Sequence, residues 1–268
     1  MTLRANLPAW VEIARANIRW QYMYRFNVLM GIVLTAVTIY LLTIVWTAAY
    51  GSQGEVDGIT LRQTLVYLTI ANLQLYFLQP EISGDIQARI REGQIGFDLS
   101  RPVSYPSQLI AGAAGDMIGL LPMMVVAVPI AFVLGELRPP ATVTDGVGYA
   151  LSFLLAWIIA VQLNMLIGLV SFWTLEMTGF SMMYRLIGNF ATGALVPLWF
   201  MPDLLRQVIQ LLPFQSIAYI PVSIYVGEPA TGGIGTALAL QAFWAVAMVF
   251  VIRFVWQRAV RHTVIQGG

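Results

Sequence analysis

Six long apolar runs, each broken off by a charge or a Pro/Gly cluster, set the hydropathy pattern of the chain. They cover residues 26–49, 62–80, 105–135, 146–172, 180–201 and 233–257. Runs such as FNVLMGIVLTAVTIYLLTIVWTAAY and ALALQAFWAVAMVFVIRFVW reach the ~20 residues that a helix needs to cross a hydrocarbon core of about 30 Å. The short alternating segments of a barrel do not occur in the sequence. The pattern predicts an all-α membrane protein with six transmembrane helices.

Polar positions mark three further elements. In the opening MTLRANLPAWVEIARANIRW, Glu12, Arg15 and Arg19 fall on one helical face, and Trp10, Ile13, Ala14 and Ile18 fall on the other, interrupted by Asn17. This predicts an amphipathic helix within residues 1–25 that lies along the cytoplasmic membrane surface, its Trp10 side among the headgroups. It lacks the short apolar core and small-residue cleavage site of a signal peptide. Between runs two and three, EISGDIQARIREG places Ile82, Ile86 and Ile90 in one stripe, with Asp85, Arg89 and Glu92 on its flank. Asp85 precedes Arg89 by four residues, the favourable order for a helical ion pair. Gly93 can end this helix, and LSRPVSYP restarts the chain. Between runs five and six, Pro197, Pro202, Pro213 and Pro221 recur too often for one straight helix. Non-helical backbone at membrane depth must be sheltered by protein or a cavity, so residues 202–232 read as a broken, re-entrant segment on the outer side.

Arginine placement sets the orientation. With the N-terminus inside, every arginine except Arg62, Arg138 and Arg206 falls at the cytoplasmic side, which predicts both termini inside and a multi-pass protein of the plasma membrane. Residues 81–104 then form a cytoplasmic loop. One reading of its helix is an interfacial anchor. The other is a docking knob for a cytoplasmic protein, which the loop length favours, because about 24 residues exceed what a connection requires.

Composition sharpens what the chain can do. Of 268 residues, 59% are hydrophobic and 10% charged, against about 25% in soluble domains. There is no cysteine, and the single His262 sits near the tail, where it reads as a solvated residue. Thiolate metal sites and Ser-His or Cys-His nucleophiles are therefore excluded. All 14 basic residues are arginine, so no P-loop lysine is available for ATP hydrolysis. No enzyme, cofactor or metal site is expected in this chain, and no nucleic acid partner.

Polar groups at depth remain. Asp116 lies well inside the third run, where a carboxylate is costly unless paired or hydrated. It lines a polar pathway, or it makes an interhelical bond beside Gly115 and Gly119; both readings stand. Asn72, Gln74, Gln162, Asn164 and Asn189 read chiefly as interhelical glue, with Asn164 and Asn189 joining Asp116 as candidates for a substrate path. Glu176 and Arg185 read as inner-edge charges, and the tryptophans at 46, 173, 199 and 256 as an interfacial belt.

The segments DIQARIREGQIGFDLSRPVS, SFWTLE, PLWFMPDLL and LPFQSIAYIPVSIYVGEP, in this order within a six-span pattern, resemble the permease subunits of ATP-binding cassette exporters of the type 2 permease family. They look like the bacterial branch with two dissimilar permeases and a separate ATPase. The resemblance implies two cytoplasmic ATPase subunits that bind ATP and Mg, and a second permease subunit, dissimilar in preference to a copy of this chain. It makes Asp85, Arg89, Ile90, Arg91 and Glu92 a coupling helix, supported by Arg15 and Arg19. Pro213, Phe214 and Pro221 become an outer gate. The mostly apolar wall suits export of a hydrophobic or amphipathic substrate such as a lipid, drug or natural product. A carrier coupled to ions or protons, with Asp116 as its proton site, is the alternative.

Overall fold

The computed structural model describes residues 3–78, 80–174, 177–228 and 232–266, so Glu176 and residues 229–231 of the Pro-rich segment lie outside it. Helix α1 (Leu3–Met23) runs through Tyr24 into α2 (Arg25–Tyr50). A small hairpin, β1 (Glu55–Val56) with β2 (Ile59–Thr60), turns on Asp57 and Gly58, both at positive φ. Asp-Gly is the sequence signature of such a turn, though the apolar pattern did not reveal this hairpin. There follow α3 (Leu61–Leu78), α4 (Ile82–Arg91), α5 (Ile95–Ser100), α6 (Tyr105–Leu120) and α7 (Met124–Leu134). The last two are joined by a 3-10 turn at Pro122. Next come α8 (Val143–Leu169), α9 (Thr178–Ala191), α10 (Asp203–Gln210), α11 (Tyr219–Tyr225) and α12 (Ile234–Gln266).

Among the described residues, four segments are long and apolar enough to cross a membrane: Arg25–Tyr50, Tyr105–Leu134, Val143–Phe172 and Ile234–His262. The Pro-rich segment supplies a fifth only as a broken pair, Asp203–Gln210 and Pro213–Tyr225, bent by 76°. Outward-facing Phe26, Leu34, Val45, Val125, Val133, Phe243 and Phe250 form the apolar surface that hydrocarbon would cover. The chain is an all-α membrane protein.

Two of the six expected runs do not pass as plain spans, and each for a physical reason. The run at 180–201 ends its helix at Ala191. Gly193 takes a φ of 84°, and a Cβ there would lie 2.7 Å from Leu198 Cδ1. Only glycine tolerates both the left-handed backbone and the close approach. Helix α3 is long enough but carries polar residues, because it is the buried centre of the bundle. Its Tyr67 hydroxyl donates to Gly193 O (3.0 Å), its Asn72 amide to Ala194 O (3.0 Å), and its Gln74 amide to Ile217 O (2.5 Å). These carbonyls belong to the irregular chain between α9 and α11, which lacks intrahelical partners and must find them within protein. A central helix with its sides covered by protein can trade hydropathy for that task. Gln162 of α8 donates to Ala245 O of α12 (2.9 Å), an interhelical bond as expected, whereas Asn72 and Gln74, also expected to bond between helices, reach the irregular chain instead.

Gln241 on α12 completes the polar frame. It accepts from Ser152 Oγ (2.7 Å) and donates to Ser216 O (2.8 Å), fully buried. Gln241→Leu leaves a hydroxyl and a carbonyl unpaired in the core and is expected to destabilise the protein by about 1–3 kcal/mol. Thermal unfolding in detergent reads the loss; an unchanged Tm would show that these groups find other partners.

The N-terminal helix differs from an element lying free on the membrane. Its apolar face packs on a glycine groove of α6. A Cβ at Gly115 would lie 2.4 Å from Ala14 O, one at Gly112 2.6 Å from Asn17 Nδ2, and one at Gly119 3.1 Å from Gln21 Cβ. Asn17, which interrupts the apolar face, thus sits against the part of α6 that has no side chain. Trp199 also departs from a membrane belt: its ring lies 4.7 Å from Tyr67 and 5.6 Å from Tyr219. His262, expected in solvent, is half-buried beside Trp173.

Candidate coupling helix and its two flanking cavities

The isoleucine stripe of α4 explains both its helicity and its seat. Ile82 and Ile86 are buried against the end of α8, where Gly168 removes the side chain that would block them. A Cβ at Gly168 would lie 2.5 Å from Ile86 Cδ1 and 3.0 Å from Ser83 Cα. The helix ends as Gly93 (φ 71°) reverses the chain, with Gln94 N donating to Arg89 O and Gly93 N to Ile90 O, a Schellman closure. Asp85 in the first turn and Arg89 and Arg91 in the last suit the helix dipole.

The charges on this helix take different directions. Arg91 and Glu92 are exposed, and Ile90 is half-buried beside the core. Arg89 turns along the protein to Asp98 (2.8 Å), which also receives Arg101 (3.2 Å) and is buried to 3% side-chain exposure. Gln108 on α6 closes the clamp, donating to Asp98 O (3.0 Å) and Val103 O (2.9 Å) while accepting from Arg101 (3.1 Å). FDLSRP is therefore the brace that ties α4 to α5 and to the start of α6. Asp98 was legible in the sequence only as one more charge.

Each side of α4 lines a cavity. On one side, Ser83, Gly84 and Gln87 face a cavity of about 200 Å³ bounded by α3, α8 and α9. Asn164 and Asn189, expected in a substrate path, meet here. Helix α9 contributes Ser181, Tyr184, Arg185, Gly188 and Asn189, and Thr192 follows just past its end, a polar stripe at helical spacing that is legible in the sequence. Its other face exposes Phe180, Met182, Met183, Leu186 and Ile187. Phe214 closes the cavity beside Tyr184, with ring centroids 6.0 Å apart.

On the other side, a cavity of about 340 Å³ is lined by Asp85 and Arg89 of α4, Asp116 of α6, Asn17 and Gln21 of α1, Phe77 and Trp157. Asp116 is thus separated from Asn164 and Asn189 by α4, the two cavities sharing only Pro80 and Glu81. It accepts from Gln21 Nε2 (3.2 Å), an interhelical bond beside the glycine groove. Asp85 is exposed and lines this cavity. Crowding by protein, with Asp116 and then Glu81 adding to it and Arg89 opposing it, pushes its carboxyl up to about 6.

Other expected site residues lie elsewhere. Arg15 pairs with Glu12 (2.5 Å) on the exposed face of α1, where Arg19 is also exposed. Pro213 is buried and opens the 3-10 turn that carries Phe214. Pro221 is buried in the first turn of α11, within the core and away from both cavities.

Residues 34–267 match the model of a family described as ABC-2 family transporter protein. The chain belongs to the ABC-2 transporter family. The match covers every helix from within α2 onward and leaves α1 outside it. Comparison with curated proteins finds no match. The ABC-2 permease is a multi-pass membrane protein and the transmembrane subunit of an ABC transporter, a class that works with ABC ATPase subunits. Within this ABC-2 permease, α4 is a short charged helix seated on α8, the most buried of the four candidate spans, and shared between two cavities.

Proposed function

We propose that the chain is the permease subunit of an ATP-driven exporter, with α4 as the coupling helix and the cavity around Asn164 and Asn189 as part of the substrate path. The observation that carries this is the double role of α4. It presents Arg91 and Glu92 outward, and on its inner side Ser83, Gly84 and Gln87 form the floor of the cavity. A push on the outward charges therefore changes the cavity directly. Two cytoplasmic ATP-binding cassette subunits supply the push and hold ATP and Mg; the permease itself catalyses nothing. Six crossings follow if α3 and α9 also span, with both termini in the cytoplasm of a bacterial cell and α10 and α11 re-entering from outside. Phe214 and its 3-10 turn form the outer gate.

The polar stripe of α9 and the apolar residues Leu75, Leu78 and Ile217 opposite it suit an amphipathic substrate. The exposed apolar face of α9 suits a second permease subunit, dissimilar to this one. Placing Asp116 against α1 and away from the Asn164 cavity, together with family membership, favours this reading over a proton-coupled carrier.

Arg91→Glu reverses a charge at the docking surface without touching the core. In proteoliposomes with its ATPase, it is expected to lower ATP-driven transport by about tenfold or more, as truncating or reversing interfacial charges does, with unchanged expression. Transport that persists without ATP and collapses with the proton gradient would overturn the proposal.

A further inference from the structure

The second cavity has a charge problem that the permease reading does not use. Asp85 on α4 and Asp116 on α6 face the same space from different helices. Arg89, the cation four residues after Asp85, is drawn away to Asp98, which Arg101 also holds. The remaining neighbours bring no positive charge: α1 supplies Asn17 and Gln21, α3 supplies Phe77, α8 supplies Trp157, and Glu81 adds a further negative charge. Asp85, Asp116, Glu81 and Asp98 are thus balanced only by Arg89 and Arg101.

An adjoining cavity of about 110 Å³ shares Asn17, Asp85, Arg89 and Asp116 and adds Tyr105. Tyr105 is 3% exposed, with its ring stacked on Trp256, and its buried hydroxyl has no protein partner. A buried hydroxyl needs a partner, and water supplies one where the site is polar and roomy. Together the cavities hold several water volumes of about 30 Å³ each.

We propose that these joined cavities are a proton site, in which one proton held between Asp85 and Asp116, through water that also meets the Tyr105 hydroxyl, keeps α4 seated against α6 and α1. Two carboxylates facing one shared space repel each other when both are ionised, and sharing a proton removes the repulsion. With the proton gone, Asp85 and Asp116 push α4 away from the helix pair α1 and α6. The isoleucine seat on α8 then holds it alone. An acid whose proton is held more tightly in the fold favours the fold when protonated. The seat therefore weakens as pH rises from about 4 through about 6 and stays weak above. The consequence for transport rests on α4 being the coupling helix; the proton site does not.

The test uses the full chain alone in lipid nanodiscs, without ATPase. Infrared spectra titrated between about pH 4 and 8 are expected to show a protonated-carboxyl band lost near pH 6. Asp85→Asn should remove it, and Asp116→Asn should move its midpoint down towards the ordinary range of about 4. Tyr105→Phe, which keeps the ring packing, should shift the band position. Hydrogen exchange of residues 82–91, corrected for intrinsic rates, should speed up above the midpoint in the parent chain but not in Asp116→Asn. A band unaffected by Asp85→Asn, a midpoint already in the ordinary range, or displacement of the proton by sodium at constant ionic strength would each overturn the proposal. Loss of ATP-driven transport in Arg91→Glu with the titration intact would separate the two readings.

Discussion

Gly168→Val is expected to lower ATP-driven transport about tenfold or more while leaving the bundle folded. Even one added carbon would lie 3.0 Å from the Cα of Ser83, a backbone atom that cannot rotate aside, and 2.5 Å from Ile86 Cδ1. Helix α4 must therefore lift from α8, at a cost typical of overpacking, about 1–3 kcal/mol. That suffices to shift an equilibrium between seated and lifted α4 by about tenfold or more. Because Ser83, Gly84 and Gln87 also line the Asn164 cavity, the lift alters that cavity as well as the position of the outward charges on α4. Gly168→Ala, with a smaller intrusion and a better helix former, should show a partial loss. Adding Ile86→Ala relieves the side-chain clash but not the backbone one, so it should restore only part of the activity. Complete rescue by Ile86→Ala would show that the backbone approach of Ser83 does not matter. Transport is measured in proteoliposomes, with thermal unfolding as the control for the fold.

Gly115→Leu is expected to drive α1 off α6. The Ala14 carbonyl occupies the place where a side chain at position 115 would begin, so the clash is backbone against side chain and cannot be repacked locally. The cross-link between Gln21→Cys and Gly119→Cys reads the docking directly, since the chain has no other cysteine and these positions approach within disulfide reach. Its yield should fall about tenfold or more in the Gly115→Leu background, on the scale of a one-to-three kcal/mol overpacking cost. An unchanged yield would mean that α1 docks elsewhere. Loss of α1 also removes Gln21 from Asp116, so the second cavity would open with it.

What the apolar pattern carried was the class of molecule and the position of α4. Chain-long hydropathy reflects a solvent that is hydrocarbon, and it is read residue by residue without knowing any contact. The isoleucine stripe at 82, 86 and 90 and the glycine after it are local signals too, since helix periodicity and a left-handed closure need only neighbours in sequence. The polar stripe of α9 is a local signal of the same kind, although the mean hydropathy of that run conceals it.

The direction in which each polar group points was decided by tertiary structure. Asn72 and Gln74 look alike in sequence to Asn164 and Asn189, yet the first two bond the irregular carbonyls at 194 and 217 while the second two line a cavity. The difference lies in which face of each helix meets the broken chain, and only packing sets that. Gly168 carries no signal of its own, because its role is the absence of a side chain where α4 happens to cross. Likewise Arg89 stands in sequence four residues from Asp85 but folds towards Asp98, since the brace from α5 and α6 brings a better-buried carboxylate within reach. Sequence determined that this chain is a membrane-embedded helical protein with a charged helix between two runs, because solvent and local periodicity suffice for that. Structure decided that this helix divides two cavities and that Asp116 faces Asp85, because both depend on residues brought together from distant parts of the chain.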